Sequence, residues 1–155
     1  MKPIVVDASI AVKWVIAETY SEPAARLLTG TALHAPAHWL AEATNVLWAK
    51  AHWGDLTGPQ ALSRTTALRE APIRPAPLAD LILPALEISL ALAITEYDSL
   101  YIALAQALGG IFVTADERLV RKCVPSVIQP DLVIWIGEPR YPEMIAGTRR
   151  VIDTS

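Results

Sequence analysis

Four acidic residues far apart in the chain, Asp7, Glu42, Asp98 and Asp116, stand where carboxylates can hold metal ions. Asp7 follows the apolar β-branched run Ile4–Val6, Asp116 follows Ile111–Thr114, and Asp98 falls in the first turn after Thr95. Singly, each has a structural explanation: Asp7 and Asp116 suit helix N-caps, and Thr95 to Asp98 has capping-box spacing. Their joint position argues for more, because an open parallel sheet delivers the C-terminal ends of its strands to one edge, where ligand sites lie. Carboxylates brought within a few ångströms repel, and one is protonated unless cations neutralise them, so a cluster of acids without nearby Lys or Arg implies bound metal. Glu42 lies inside a helix predicted over residues 38–52, flanked by Trp39, Leu40, Ala43 and Val46, where a charge needs a partner or a route to solvent. Asn45, one turn on, is placed to orient Glu42 or a metal-bound water. Oxygen ligands without His or Cys favour Mg2+ or Mn2+ over zinc. Two such ions support in-line attack on a phosphodiester without a histidine base.

Strand and helix signals alternate along the chain. A strand at residues 3–6 runs into a helix over 8–17, and a second helix starts at Ser21-Glu22-Pro23, with Ser21 as its cap and proline in the first turn, and ends near Gly30. A short strand at 32–35 ends at Pro36; the 38–52 helix closes at Gly54; Thr57-Gly58-Pro59-Gln60 caps a helix to about Ala71. Prolines 72, 75 and 77 bracket a strand around Ile73 and Arg74. Residues 76–94 predict a buried helix bent at Pro84, and its carboxylates Asp80 and Glu87 argue against a membrane span. A helix over residues 97–108 stops at Gly109-Gly110, Ile111–Thr114 is a buried strand, residues 116–123 form a short charged helix, and Val127-Ile128 or residues 132–136 supply the last strand. This order predicts an α/β domain over residues 1–136 with a mostly parallel sheet covered on both faces, followed by a loosely ordered tail, 137–155, unless a partner holds it.

Length and charge set bounds on function. At 155 residues there is room for one core. A hydrophobic fraction of 53% is high for such a domain, so some apolar surface is expected to meet another protein. The net charge of −3 excludes non-specific polyanion binding driven by charge alone, leaving local or metal-mediated phosphate contact. One cysteine, Cys123, excludes an internal disulfide and a Cys-rich zinc site. Asp7 cuts the N-terminal apolar run short of a signal-peptide core, and the protein is expected in the cytoplasm.

Among other residues, His34 and His38 have a ligand spacing that Pro36 interrupts. Lys13, Arg118, Arg121 and Lys122 lie on helices starting beside the acids and are candidates for phosphate contact, with a solvated face as the plain alternative. Trp48 and Trp53 suggest a subunit or partner interface. Ser9 lacks a nucleophile elbow, and Gly109-Gly110 lacks a phosphate-loop context.

Together Ile4-Val5-Val6-Asp7-Ala8-Ser9, Glu42 with Asn45, Tyr97-Asp98-Ser99-Leu100-Tyr101-Ile102-Ala103-Leu104-Ala105 and Thr114-Ala115-Asp116-Glu117-Arg118-Leu119 resemble the PIN domain, specifically the VapC-type toxins, in order and spacing from residue 4 to about residue 136. The resemblance implies a PIN-like three-layer fold and a magnesium- or manganese-dependent endoribonuclease. It further implies the toxin of a type II toxin-antitoxin pair, usually a homodimer, inhibited by a small antitoxin that inserts near the active site. Asp7, Glu42, Asp98 and Asp116 carry over as metal-binding and catalytic residues, and Ser9 and Thr114 match hydroxyl positions that brace the acids. Leu119 departs from the family, where an aromatic residue is frequent, and the tail is longer than many members need. Two other readings stand beside this one. A magnesium-binding phosphoacceptor signalling domain is disfavoured because Asp7 lacks an adjacent acid and no lysine follows residues 132–136; a catalytically inactive PIN-like binding protein is disfavoured because all four acids are present.

Overall fold

The computed structural model describes residues 2–29, 32–123 and 128–149. Five short strands, β1 (Ile4–Val6), β2 (Leu33–Pro36), β3 (Ile73–Ala76), β4 (Ile111–Thr114) and β5 (Val133–Trp135), form one sheet in the order β3-β2-β1-β4-β5. Every pairing is parallel. The connecting helices are α1 (Ala8–Ala11, continued by a single 3-10 turn, Val12–Trp14), α2 (Ser21–Arg26), α3 (Trp39–His52), α4 (Gly58–Arg69), α5 (Ile82–Leu92), α6 (Glu96–Leu108) and α7 (Glu117–Lys122), with α8 (Tyr141–Arg149) after the last strand.

The strands β1 and β4 are buried on both faces because helices cover both. Alternate residues point to opposite sides. Val5 and Phe112 join the core beneath α3, α5 and α6, with Trp39, Leu47, Ile88 and Tyr101. Ile4, Val6, Ile111 and Val113 join the opposite core, with Ile10, Leu27, Tyr141 and Ile145. Pro75 is tolerated because β3 is an edge strand. The Thr57–Gln60 capping box forms in both directions, with bonds of 3.2 and 2.9 Å. Gly109 ends α6 in the left-handed conformation, φ 62°.

Several expectations from the sequence are corrected. The helix after β1 is shorter than residues 8–17, giving way to a 3-10 turn after Ala11. Ser21 is the first residue of α2 rather than its cap; Tyr20 is the cap residue and Ser21 Oγ instead accepts from the Glu18 amide. The helix expected over 76–94 begins only at Ile82, so Pro84 falls in its first turn, where a missing N–H costs little and no bend is needed. That helix is not buried either. Only Ala85 and Ile88 are, while Ile82, Leu83, Leu86 and Leu90 lie exposed. Part of the tail expected to be loose is helix α8, with Pro142 in the first turn and Tyr141 and Ile145, one turn apart, buried against the sheet. Val127, one candidate for the last strand, lies outside the described residues; the alternative, within 132–136, is β5. Leu119, in place of an aromatic residue, is 3% exposed in the core. No single helix among the described residues is long and apolar enough to cross a membrane.

Phe112 is fully buried at the centre of the sheet and stacks on Tyr101, ring centroids 5.4 Å apart. Phe112→Ala should lower the unfolding free energy by about 3–5 kcal/mol. Urea denaturation measures this, and a loss under about 1 kcal/mol would contradict the packing described.

Candidate active site

The register of β1 against β4 builds the site's centre. Val6 lies opposite Val113, so Asp7 and Thr114, each one residue further, meet at the C-terminal edge of the sheet. Thr114 Oγ1 donates to Asp7 Oδ2 at 2.5 Å and Ser9 Oγ to Asp7 Oδ1 at 2.5 Å, while the Ile10 amide donates to Oδ1 at 3.2 Å as Asp7 caps α1. Both hydroxyls also accept a backbone amide, Ser9 from Ala115 at 3.0 Å and Thr114 from Asp116 at 3.1 Å. Each hydroxyl has one proton, so these amides commit it to Asp7. Burial nevertheless dominates, raising the Asp7 carboxyl from 3.8 to about 6 against the three hydrogen bonds.

Asp116 caps α7, its Oδ1 accepting from the Leu119 amide at 3.1 Å. Asp98 sits in the first turn of α6, where its own amide donates to Thr95 Oγ1 at 3.2 Å. Asp98, Asp116, Thr95, Arg118 and Lys122 line a cleft of about 210 Å³. The Asp98 carboxyl is raised by burial and then by the charges of Asp116 and Glu42; Thr95 and Lys122 oppose this without reversing it. The acids therefore act on one another, and Arg118 and Lys122, which the sequence placed on a helix starting beside them, line the same cleft. Burial, then the charge of Asp98, pushes the neighbouring Cys123 thiol up to about 11.

Glu42 lies in the first turn of α3 rather than in the helix interior, as the sequence suggested. All four acids thus sit at helix N-termini, where the backbone favours negative charge. The buried Tyr101 hydroxyl donates to Glu42 Oε1 at 2.7 Å. His38 Nε2 approaches the same oxygen to 2.9 Å, close but too poorly aligned to count as a hydrogen bond. Burial would raise the Glu42 carboxyl; His38 and Tyr101 outweigh it and hold it below its ordinary value.

Not every candidate joins the cluster. Asn45 is exposed on α3 and makes no hydrogen bond to Glu42 among the described residues. Lys13 is turned away: its ammonium pairs with Glu18 at 3.0 Å and donates to the Thr19 carbonyl at 2.7 Å. Arg121 pairs with Glu117 at 2.6 Å on the exposed face of α7. Arg118 and Lys122 do line the cleft. Reading the sequence for ligands passed over Tyr101 and His38 as partners of Glu42, although each stands at helical spacing from an acid, Tyr101 three residues after Asp98 and His38 four before Glu42.

Among the described residues no three His, Cys, Asp or Glu side chains converge as a complete cation cage. The donors still fit a hard divalent ion, since magnesium is commonly held by one or two carboxylates with substrate phosphate and solvent completing its shell. Mutual repulsion among the acids is what such an ion would relieve.

An all-parallel sheet flanked by helices, with Asp7 and Asp116 following its strands β1 and β4, defines an α/β domain with acidic residues at the C-terminal edge of its sheet. The chain belongs to the PIN domain family, whose model matches residues 4–125. It is 35% identical over 119 residues to ribonuclease VapC3 of Mycobacterium tuberculosis, covering 76% of this chain and 85% of that protein. It is 31% identical over 130 residues to ribonuclease VapC3 of Pyrobaculum aerophilum, covering 82% and 98%. Among solved structures, PAE2754 from Pyrobaculum aerophilum is similar in fold at TM-score 0.64 and 20% identity, covering 94% of this chain and 98% of that one. Mycobacterium tuberculosis VapC20, a Sarcin-Ricin loop cleaving toxin, is similar at TM-score 0.60 and 16% identity, covering 81% and 98%. A chain of a toxin-antitoxin complex from Klebsiella pneumoniae is similar at 0.55 and 12%, covering 86% and 97%. Membership of this family sets the phosphoacceptor reading aside.

The raised Asp7 carboxyl has a consequence for stability. Between its unfolded value of 3.8 and its folded value of about 6, the folded chain binds the proton more tightly. Its contribution to the stability of the metal-free protein therefore falls by up to about 3 kcal/mol as pH rises through that window, then levels off. In EDTA, the unfolding free energy of Asp7→Asn relative to the wild type should increase between about pH 4 and pH 6; a pH-independent difference would contradict the burial argument.

Proposed function

We propose that this chain is a divalent-metal-dependent endoribonuclease in which Asp7, Glu42, Asp98 and Asp116 hold Mg2+ or Mn2+ against an RNA phosphate. The observation that carries the reading is that acids from distant segments act on one another's charge, Asp98 raising Asp7 and Asp116 and Glu42 raising Asp98. The two relatives named ribonuclease VapC3 support RNA as the substrate class. When bound, the ions supply an activated water and stabilise the leaving oxygen of an in-line displacement.

The chain's own residues supply the positioning. Ser9 and Thr114 fix the Asp7 carboxylate between two donors, Asp116 is held by its cap to α7, and Glu42 is tied to α6. Lys122 and Arg118, on the rim of the cleft, are placed to meet phosphates flanking the cut. RNA identity is left to shape and loop contacts, since no base-reading motif is present.

The toxin role and its small antitoxin partner draw support from the toxin-antitoxin complex among the similar structures. The exposed apolar residues, Trp48, Trp53 and Leu62 on one side and Leu83 and Leu90 on α5, offer surface for the antitoxin and for a second copy in a homodimer. This reading places the enzyme in the cytoplasm, with its RNA.

Labelled RNA incubated with the purified protein should be cut with Mg2+ or Mn2+ and spared in EDTA. Asp7→Asn and Asp98→Asn should each lower cleavage by more than about a hundredfold, exceeding the loss usual for groups that merely support a ligand, with unchanged circular dichroism. Cleavage that persists in EDTA or in both variants rejects the metal site.

A further inference from the structure

We infer that Tyr101 and His38 are positioning residues that set which oxygen of Glu42 faces the active site, an inference that rests on Glu42 being a metal ligand. A glutamate in the first turn of a helix ordinarily turns to solvent or back onto the helix's own free amides. Among the described residues Glu42 makes no bond to the amides of α3. Its carboxylate is drawn across to α6 instead, where Tyr101, fifty-nine positions along the chain, donates to Oε1 at 2.7 Å.

The anchor is rigid. Tyr101 is 1% exposed and stacks on Phe112 of β4, rings 13° from parallel. The Ala8 backbone amide acts on the same phenol oxygen, so this hydroxyl stands between the start of α1, which carries Asp7, and Glu42. His38 completes the arrangement from the other side. It occupies the N-cap position of α3 without making a capping bond, its ring lies 5.0 Å from that of Tyr101 and 5.9 Å from that of Tyr97, and its Nε2 comes within 2.9 Å of Oε1. Both partners crowd one oxygen. No hydrogen bond among the described residues goes to Oε2, which leaves that oxygen to a cation. A carboxylate held on one oxygen loses little rotamer freedom when the other binds, so the partners raise metal affinity without touching metal or RNA.

The test is Mn2+ binding followed by calorimetry on the intact chain, a readout independent of cleavage. Tyr101→Phe keeps the ring and its packing and removes only the hydroxyl; His38→Ala removes the imidazole from a helix-end position. Each should weaken Mn2+ binding by about tenfold, within the range for groups that orient a ligand. In a Glu42→Gln background, Tyr101→Phe should cause no further loss, because the interaction it removes acts through the carboxylate. Wild-type affinity in both single variants, or an equal Tyr101→Phe effect in the two backgrounds, overturns the inference while leaving Glu42 as a ligand. A Glu42→Gln variant that binds Mn2+ like the wild type instead overturns the assignment of Glu42 itself, and the positioning role falls with it.

Discussion

The parallel pairing of β1 with β4 places a carboxylate at the end of one buried strand beside a hydroxyl at the end of the next, and the rest of the site is arranged around that contact. Asp7 is 9% exposed, a position an ionised carboxylate occupies only with strong compensation. Compensation comes from Ser9 and Thr114, whose protons are directed at Asp7 because their lone pairs are used by the amides of Ala115 and Asp116. The same two amides shape the turn that carries Asp116 into α7. One set of hydrogen bonds therefore fixes the buried acid and sets the start of the helix bearing a second.

Around this centre the acids differ in electrostatic state. Burial raises Asp7 and Asp98, whereas His38 and Tyr101 hold Glu42 low. Helix N-termini at all four positions add a modest bias toward the charged form, strongest where the helix is long, at Glu42 and Asp98.

The apolar excess noted in the composition has two destinations. Much of it fills the twin cores on either side of the sheet, with α8 closing one of them through Tyr141 and Ile145. The remainder lies outside, on α5 and at Trp48 and Trp53. Leu83, Leu86 and Leu90 of α5 recur at helical spacing on its open side while Ala85 and Ile88 face inward, so the helix has two apolar faces and only one is met among the described residues.

The local pattern of residues determined the strand-helix alternation, the Thr57 cap, the buried strand at Ile111–Thr114 and the helix-start positions of Asp7, Asp98 and Asp116, because each depends on neighbours a few positions away. Proline misled where its place within a helix mattered: Pro84 read as a bend, yet a first turn accepts it without loss of a hydrogen bond. Burial of α5 was likewise misread, since composition reports hydrophobicity but not which face finds a partner. Tertiary structure alone decided that Tyr101 reaches Glu42 and that Asn45 stands exposed. These outcomes turn on distances between helices brought together by the sheet, and no spacing along one segment encodes the register that sets them.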